Sequence, residues 1–146
     1  MKTILIVDDE KNIVSGLEEA FTLEGYSVLT AYDGKEAWDK VNTNNVDLVI
    51  TDLRMPMMNG NELVERISSS YPMLPVIVLT GHGTIETAVE SMRKGAVDFF
   101  TKPVDLDKLF LVVKKCLANS ELQEQNKKLT EEIEKLKNQQ KYSKII

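Results

Sequence analysis

Five short apolar runs alternate with amphipathic stretches along residues 1–118, and this alternation restricts the fold more than any other feature. The runs are rich in β-branched residues and lie at 3–7, 26–31, 46–51, 75–80 and 97–101. Helical patterns occupy 11–24, 34–43, 60–70 and 84–94, and a longer one begins near residue 105. Continuous apolar runs between helical patterns are typical of buried parallel strands with crossover helices. We therefore predict an α/β fold, a doubly wound five-stranded parallel sheet built from five strand–helix units.

Polar residues stand where four of the predicted strands end. Asp8 and Asp9 follow the first run, Asp52 follows the third, Thr80 ends the fourth and Lys102 follows the fifth. In an open α/β sheet the carboxyl ends of the strands form the crevice where ligands bind. We therefore expect three carboxylates, a hydroxyl and an ammonium to converge at one edge of the sheet.

The three carboxylates predict a divalent cation site. Adjacent Asp8 and Asp9 repel each other, and burying both is costly unless a cation neutralises them. With Asp52 they supply the hard oxygen ligands that suit Mg²⁺, or Mn²⁺ in its place. The alternative is that Asp8 caps the following helix and Asp9 is solvated. Asp52 and Lys102 favour the cation site over this alternative.

Asp52 is also a candidate nucleophile. A carboxylate that attacks phosphorus forms an acyl phosphate, and the reaction needs a metal and a cationic partner such as Lys102. The Thr80 hydroxyl is placed to bond a phosphoryl oxygen, although taken alone it is equally an ordinary strand residue. Lys102 precedes Pro103, so this peptide bond is a candidate for the cis form.

After Ala118 the composition changes to Glu, Gln, Lys and Asn, with an apolar seam. Steps of 4, 3, 4, 3 and 4 residues connect Leu122, Asn126, Leu129, Ile133, Leu136 and Gln140, which is about three heptads. An Asn at the a position of the heptad favours a parallel two-stranded register, and Glu132 would face Lys137 of a second copy. We predict that the fifth helix continues through 119–141 as a parallel coiled coil. A solvated single helix or a frayed tail is the alternative.

Bulk composition excludes other classes. The net charge of -5 argues against nucleic-acid binding by these residues. No apolar stretch is long enough to span a bilayer, and the single Cys116 has no partner for an internal disulfide. We expect a cytoplasmic protein that contacts neither nucleic acid nor a membrane through these residues.

The chain resembles the receiver domain of two-component response regulators, the chemotaxis-protein-Y-like family. The matching motifs are Ile-Leu-Ile-Val-Asp8-Asp9-Glu10, Asp52 with Met55-Pro56 and Gly60, Val78-Leu79-Thr80-Gly81, and Lys102-Pro103. The resemblance covers residues 2 to about 118 and implies a flavodoxin-like fold. It implies that Asp52 is the phosphoacceptor and that Lys102 and Thr80 contact the phosphoryl group.

The resemblance also implies the metal ligands and a switch. Asp9, Asp52 and the backbone carbonyl of Arg54 would bind Mg²⁺ directly, with Asp8 acting largely through water. Thr80 and Phe99 would form the switch pair, and Phe99 stands where many relatives have Tyr.

Within the family, the segments 80–89 and 95–100 look most like nitrogen-regulation-type, sigma-54-dependent activators. This resemblance implies a receiver at 1–118, a linker helix at 119–141, and at 142–146 the start of an AAA+ ATPase output domain, followed by a DNA-binding domain. The implied partners are a sensor histidine kinase and a second copy of the chain. The second copy would bind through the surface of the fourth helix, fifth strand and fifth helix, through the linker coiled coil, or through both. The implied role is signalling rather than enzymatic, although the domain would promote its own phosphotransfer and dephosphorylation.

Three other interpretations fit the sequence less well. An aspartyl-phosphate phosphatase of the haloacid-dehalogenase type requires a second acid two residues after the nucleophile, where this chain has Arg54. A flavodoxin-like nucleotide-binding module requires a Gly-rich phosphate loop after the first strand, which is absent from the sequence. A stand-alone receiver or a coiled-coil scaffold with an inactive receiver predicts dimerisation without sensitivity to phosphate.

Overall fold

Five parallel strands form one sheet in the order β2-β1-β3-β4-β5. The computed structural model describes the backbone of residues 1–145 and the side chains of residues 1–137. The elements are β1 (Thr3–Val7), α1 (Lys11–Leu23), β2 (Ser27–Ala31), α2 (Gly34–Thr43), β3 (Leu48–Thr51), α3 (Gly60–Ser70), β4 (Val76–Thr80), α4 (Ile85–Lys94), β5 (Asp98–Thr101) and α5 (Leu106–Ile145). The predicted fold class is therefore confirmed.

Strands β2 to β5 begin one or two residues later than predicted. At β3 the difference has a local cause, because the Asp47 carboxylate accepts the backbone N–H of Thr3 at 2.7 Å and replaces a ladder partner there. At β4 the predicted first residue is Pro75, which has no N–H to donate to a ladder. These shifts leave the carboxyl ends of the strands, which carry the polar residues, in place.

Each face of the sheet carries its own apolar cluster. On one face, strand residues such as Leu5, Val49 and Val78 pack with residues of α2 and α3. On the other face, strand residues such as Ile6 and Ile50 pack with residues of α1 and α5. This division follows from the alternation of side chains along a strand. Both faces are covered, as the continuous apolar runs predicted.

Helix α5 continues far beyond the sheet. Its start is capped by Asp105, whose carboxylate accepts the Asp107 N–H at 3.0 Å. Its first part packs on the sheet through Leu109, Val113 and Leu117. The apolar seam residues beyond them are 50–60% exposed in the single chain, and they are Leu122, Leu129, Ile133 and Leu136. An uninterrupted helix matches the prediction, whereas coiled-coil pairing stays a prediction.

Part of the predicted linker and output segment lies beyond what the structure describes. The side chains of Gln140 and of residues 142–145 lie outside the described residues, and so does Ile146 entirely. Within the part that is described, no helix combines the length and apolarity needed to cross a membrane.

Candidate functional site

The carboxyl ends of β1, β3, β4 and β5 lie side by side and carry the predicted site residues. The backbone ladder continues one residue past the strands, so that Asp52 N–H donates to the Val7 carbonyl at 3.0 Å and Lys102 N–H donates to the Thr80 carbonyl at 2.9 Å. These hydrogen bonds therefore fix the backbone positions of Asp52 and Lys102 relative to the neighbouring strands. The sheet brings together the residues that the sequence placed at this edge.

Three carboxylates meet at this edge. One oxygen from each of Asp8, Asp9 and Asp52 lies within 4.8 Å of the others. Asp8 and Asp52 are only 3% and 4% exposed, whereas Asp9 is open to solvent. The Lys102 ammonium donates to Asp8 at 2.6 Å and to Asp52 at 3.2 Å. Since three carboxylates face one ammonium among the described side chains, the cluster carries an excess of negative charge.

The pKa values of this cluster reflect burial and pairing. Burial raises the pKa of the Asp8 carboxyl, and the hydrogen bond from Lys102 offsets only part of the rise. For Lys102, burial by itself lowers the pKa, but the hydrogen bond to Asp8 and the charge of Asp52 outweigh it, so the pKa is raised. Lys102 therefore stays an ammonium, and Asp8 remains costly to ionise without further positive charge nearby.

The donor set fits a divalent cation of the Mg²⁺ type. Closely spaced carboxylate oxygens, one of them open to solvent, match a cation that binds a few carboxylates and keeps several waters. The carboxylate group of Asp8, Asp9 and Asp52 does not test the Arg54 carbonyl oxygen, so its role as a Mg²⁺ ligand stays a prediction. Asp8 makes a direct ion pair with Lys102 and also accepts the Glu10 N–H at 3.0 Å. This second contact lies in the turn before α1. The N-cap residue of α1 is Glu10, without a side-chain cap, so the alternative in which Asp8 caps the helix is wrong.

The backbone on both sides of Asp52 is closely packed. The Leu53 N–H donates to one Asp52 carboxylate oxygen at 2.6 Å, while Lys102 binds the other. The Gly60 N–H donates to the Leu53 carbonyl at 2.9 Å. A Cβ added at Gly60 would lie 2.1 Å from the Asp52 carbonyl oxygen. The sequence marked Gly60 as a motif residue, but only the structure shows that it must be glycine because the start of α3 touches the backbone of Asp52.

The Gly60→Ala substitution is expected to destabilise the fold by about 1–3 kcal/mol, because the added methyl group overlaps the Asp52 carbonyl. Gly16→Ala is a matched control, since Gly16 lies in α1 with no atom within 4 Å of an added Cβ. The control is expected to stabilise by about 0.5–1 kcal/mol, the usual gain of helical Ala over Gly. Urea unfolding of both variants measures the difference. Equal effects in the two variants would contradict the close contact at Gly60.

The predicted switch residues, Thr80 and Phe99, lie on the neighbouring strands β4 and β5, and each has its own partners. Thr80 is fully buried, and its hydroxyl accepts the His82 N–H at 3.2 Å. Phe99 is half-buried and packs against the cluster on the α2–α3 face of the sheet. The Lys102–Pro103 peptide bond, the candidate for the cis form, is cis.

Sequence comparison identifies the family of this site. The model of the response regulator receiver domain family matches residues 4–114, so the chain belongs to that family. The transcriptional regulatory protein GlrR of Escherichia coli K12 is 44% identical over 117 residues, which are 80% of this chain and 26% of GlrR. The DNA-binding transcriptional regulator NtrC of Klebsiella pneumoniae is 38% identical over 120 residues, 82% of this chain and 26% of NtrC. The chain thus spans about a quarter of the length of these curated relatives.

Solved structures agree with this assignment. A response regulator receiver domain protein (CheY-like) from Methanospirillum hungatei JF-1 superposes with a TM-score of 0.81 at 32% identity, covering 84% of this chain and 98% of that one. NtrX from Brucella abortus gives a TM-score of 0.81 at 36% identity, covering 88% of this chain and 30% of NtrX. Similarity therefore extends over nearly the whole of a receiver-domain chain and over about a third of a longer chain.

Proposed function

We propose that this chain accepts a phosphoryl group on Asp52 from the phosphohistidine of a sensor histidine kinase. The observation that carries the proposal is Asp52, a residue that is 4% exposed, whose carboxylate is grouped with two others and bonded to the Lys102 ammonium at 3.2 Å. A nucleophilic carboxylate beside a fixed ammonium is the arrangement that acyl phosphate formation requires.

In the proposed transfer, an Asp52 carboxylate oxygen attacks phosphorus while the phosphorus–nitrogen bond of the phosphohistidine breaks. The ring nitrogen keeps the electron pair and the ring takes up a proton from solvent, so that neutral imidazole leaves and an acyl phosphate forms on Asp52. The Lys102 ammonium, now 2.6 Å from Asp8, is placed to bond a phosphoryl oxygen, and the Thr80 hydroxyl is the second donor. Asp8, Asp9 and Asp52, with the Arg54 carbonyl, would hold Mg²⁺. The bound ion offsets the negative charge of the phosphoryl oxygens.

The same residues supply the proposed switch. Phosphorylation adds a charge of about -1.5 to -2 to the cluster. The Thr80 hydroxyl turns from the His82 N–H toward the new oxygens, and Phe99 moves into the space left beside it. Because Phe99 lies on β5, this movement changes the surface of α4, β5 and α5. A second copy that binds this surface, or the seam of α5, would therefore sense the modification.

The proposed output is control of transcription. It is supported by the names of GlrR and NtrC and by the similarity of segments 80–89 and 95–100 to sigma-54-dependent activators. In this proposal the full-length protein adds an AAA+ ATPase and a DNA-binding domain after the linker, and α5 joins the receiver to them. The receiver itself is a signalling domain that promotes its own phosphotransfer and dephosphorylation.

Incubation with acetyl phosphate and Mg²⁺, followed by intact mass spectrometry, tests the proposal. The wild-type chain is expected to gain a single phosphoryl group, and the gain should disappear in EDTA. Asp52→Asn should show no gain, because the amide is not a nucleophile toward phosphorus. Wild-type protein that stays unmodified with Mg²⁺ present would refute the proposal and leave the scaffold interpretation.

A further inference from the structure

Helix α4 contributes little apolar surface to the core of the domain. None of its residues belongs to either apolar cluster of the described residues. Its larger apolar side chains, Ile85, Val89 and Met92, are 86%, 51% and 46% exposed. The buried residue of the helix is Ser91, at 0% exposure. Since a buried polar group is costly without a hydrogen bond, the partner of Ser91 decides how firmly α4 is held.

That partner lies on α3. The Ser91 hydroxyl donates to the Asn61 side-chain oxygen at 2.9 Å. A second α3–α4 contact, the ion pair of Lys94 and Glu65 at 3.2 Å, has side chains that are 35% and 57% exposed. Exposed ion pairs contribute little to stability, whereas a buried group that loses its partner incurs its full desolvation cost. The Asn61–Ser91 hydrogen bond is therefore the stronger of these two attachments.

Asn61 is also directly connected to the phosphoacceptor loop. It follows Gly60, whose N–H donates to the Leu53 carbonyl at 2.9 Å. The Cα of Gly60 is so close to Asp52 that an added Cβ would lie 2.1 Å from the Asp52 carbonyl oxygen. A displacement of the backbone at Asp52 or Leu53 therefore moves the first turn of α3, which includes Asn61. Asn61 and Leu53 also line one open groove together with His82.

We propose that the Asn61–Ser91 hydrogen bond is a latch that holds α4 in the unphosphorylated state and that phosphorylation of Asp52 releases it. The inference rests on the proposed function for its trigger, but the latch itself belongs to the unmodified protein. A contact present in one state only contributes to the free-energy difference between the states. Weakening the latch therefore raises the population of the released state and the affinity for any ligand that prefers it.

Amide hydrogen exchange of Ser91→Ala tests the latch without phosphorylation. Ala has a higher helix propensity than Ser, so the substitution does not weaken α4 as a helix. A helix of this length is marginal on its own, and its amides exchange once it leaves the domain. We expect the amides of Ile85–Lys94 to exchange about fivefold faster, the factor for loss of one buried hydrogen bond. Lys94→Gln removes the exposed α3–α4 contact instead and should leave these rates unchanged.

The affinity for beryllofluoride, a mimic of the phosphoryl group, tests the coupling in the presence of Mg²⁺. Ser91→Ala is expected to bind it about fivefold more tightly, because less free energy is needed to release α4. Unchanged exchange in α4 would overturn the latch, and faster exchange with unchanged affinity would overturn its coupling to the site. Failure of the wild type to bind beryllofluoride would overturn the proposed function and the coupling together. The exchange rates would then still decide separately whether the hydrogen bond holds α4.

Discussion

The Lys102→Met substitution is expected to lower the free energy of unfolding by about 2–4 kcal/mol in metal-free buffer. The ammonium bonds Asp8 and Asp52 at 2.6 and 3.2 Å, and these side chains are only 4% and 5% exposed. Its removal leaves two buried carboxylates with backbone N–H donors but without a cationic partner. The loss stays below that of a fully enclosed pair because the Lys102 side chain is 17% exposed and partly solvated. Urea unfolding in EDTA measures it.

Mg²⁺ should restore part of this stability, because a cation that binds only the folded cluster stabilises it by about 2.7 kcal/mol at a concentration 100 times its Kd. Lys2→Met is the matched control, since Lys2 pairs with Glu121 at the surface with side chains 40% and 55% exposed. That variant is expected to change stability by less than about 1 kcal/mol and to respond to Mg²⁺ as the wild type does. Equal losses in the two variants, or no response to Mg²⁺, would contradict the charge balance assigned to the cluster.

The Leu129→Glu substitution is expected to weaken self-association by at least about tenfold, if the seam of α5 pairs two copies as proposed. Leu129 is 55% exposed in the single chain and lies at a d position between Asn126 and Ile133. Full burial of a Leu contributes about 1.5–3 kcal/mol, and only the exposed half of each Leu129 is left to bury, so the two copies together lose about 1.5–3 kcal/mol. A charge at this position adds a desolvation cost. Sedimentation equilibrium over a range of protein concentrations measures the dissociation constant.

Lys128→Glu is the control for charge, since it adds a carboxylate at the neighbouring position, which lies off the seam. It should leave the association constant within about threefold of the wild type, as expected for an exposed helix position. A monomeric wild type, or two variants that associate equally well, would favour a solvated single helix for 119–137. The receiver assignment does not depend on this result.

The convergence of the site residues was predictable because the end of each apolar run in the sequence marks the end of a strand. Asp8, Asp52 and Lys102 each follow an apolar run, and parallel strands bring their carboxyl ends to one edge. The direct ion pair of Asp8 with Lys102 was not predictable, because spacing gives no side-chain direction across 94 residues. The need for glycine at position 60 was not predictable for a similar reason, because it depends on the distance between the start of α3 and the backbone of Asp52.

Helix α4 shows where pattern reasoning is insufficient. An apolar stripe on a helix normally faces the core, and residues 84–94 were predicted as an amphipathic helix. The helix forms, with a capping box of Thr84 and Thr87 at its start, but Val89 and Met92 remain about half exposed and Ser91 is buried. The reason is that α4 rests on α3 through Asn61, and a polar contact between two helices leaves no periodic signal in the sequence.

The location of the phosphoryl group is the measurement that tests the central claim most directly. Borohydride reduces an acyl phosphate on aspartate to homoserine, so the modified residue is identified by peptide mass spectrometry after treatment with acetyl phosphate and Mg²⁺. We expect homoserine at position 52 and unmodified aspartate at positions 8 and 9. Reduction at Asp8 or Asp9, or a phosphoryl group found on His82 instead, would contradict the assignment of Asp52 as the phosphoacceptor.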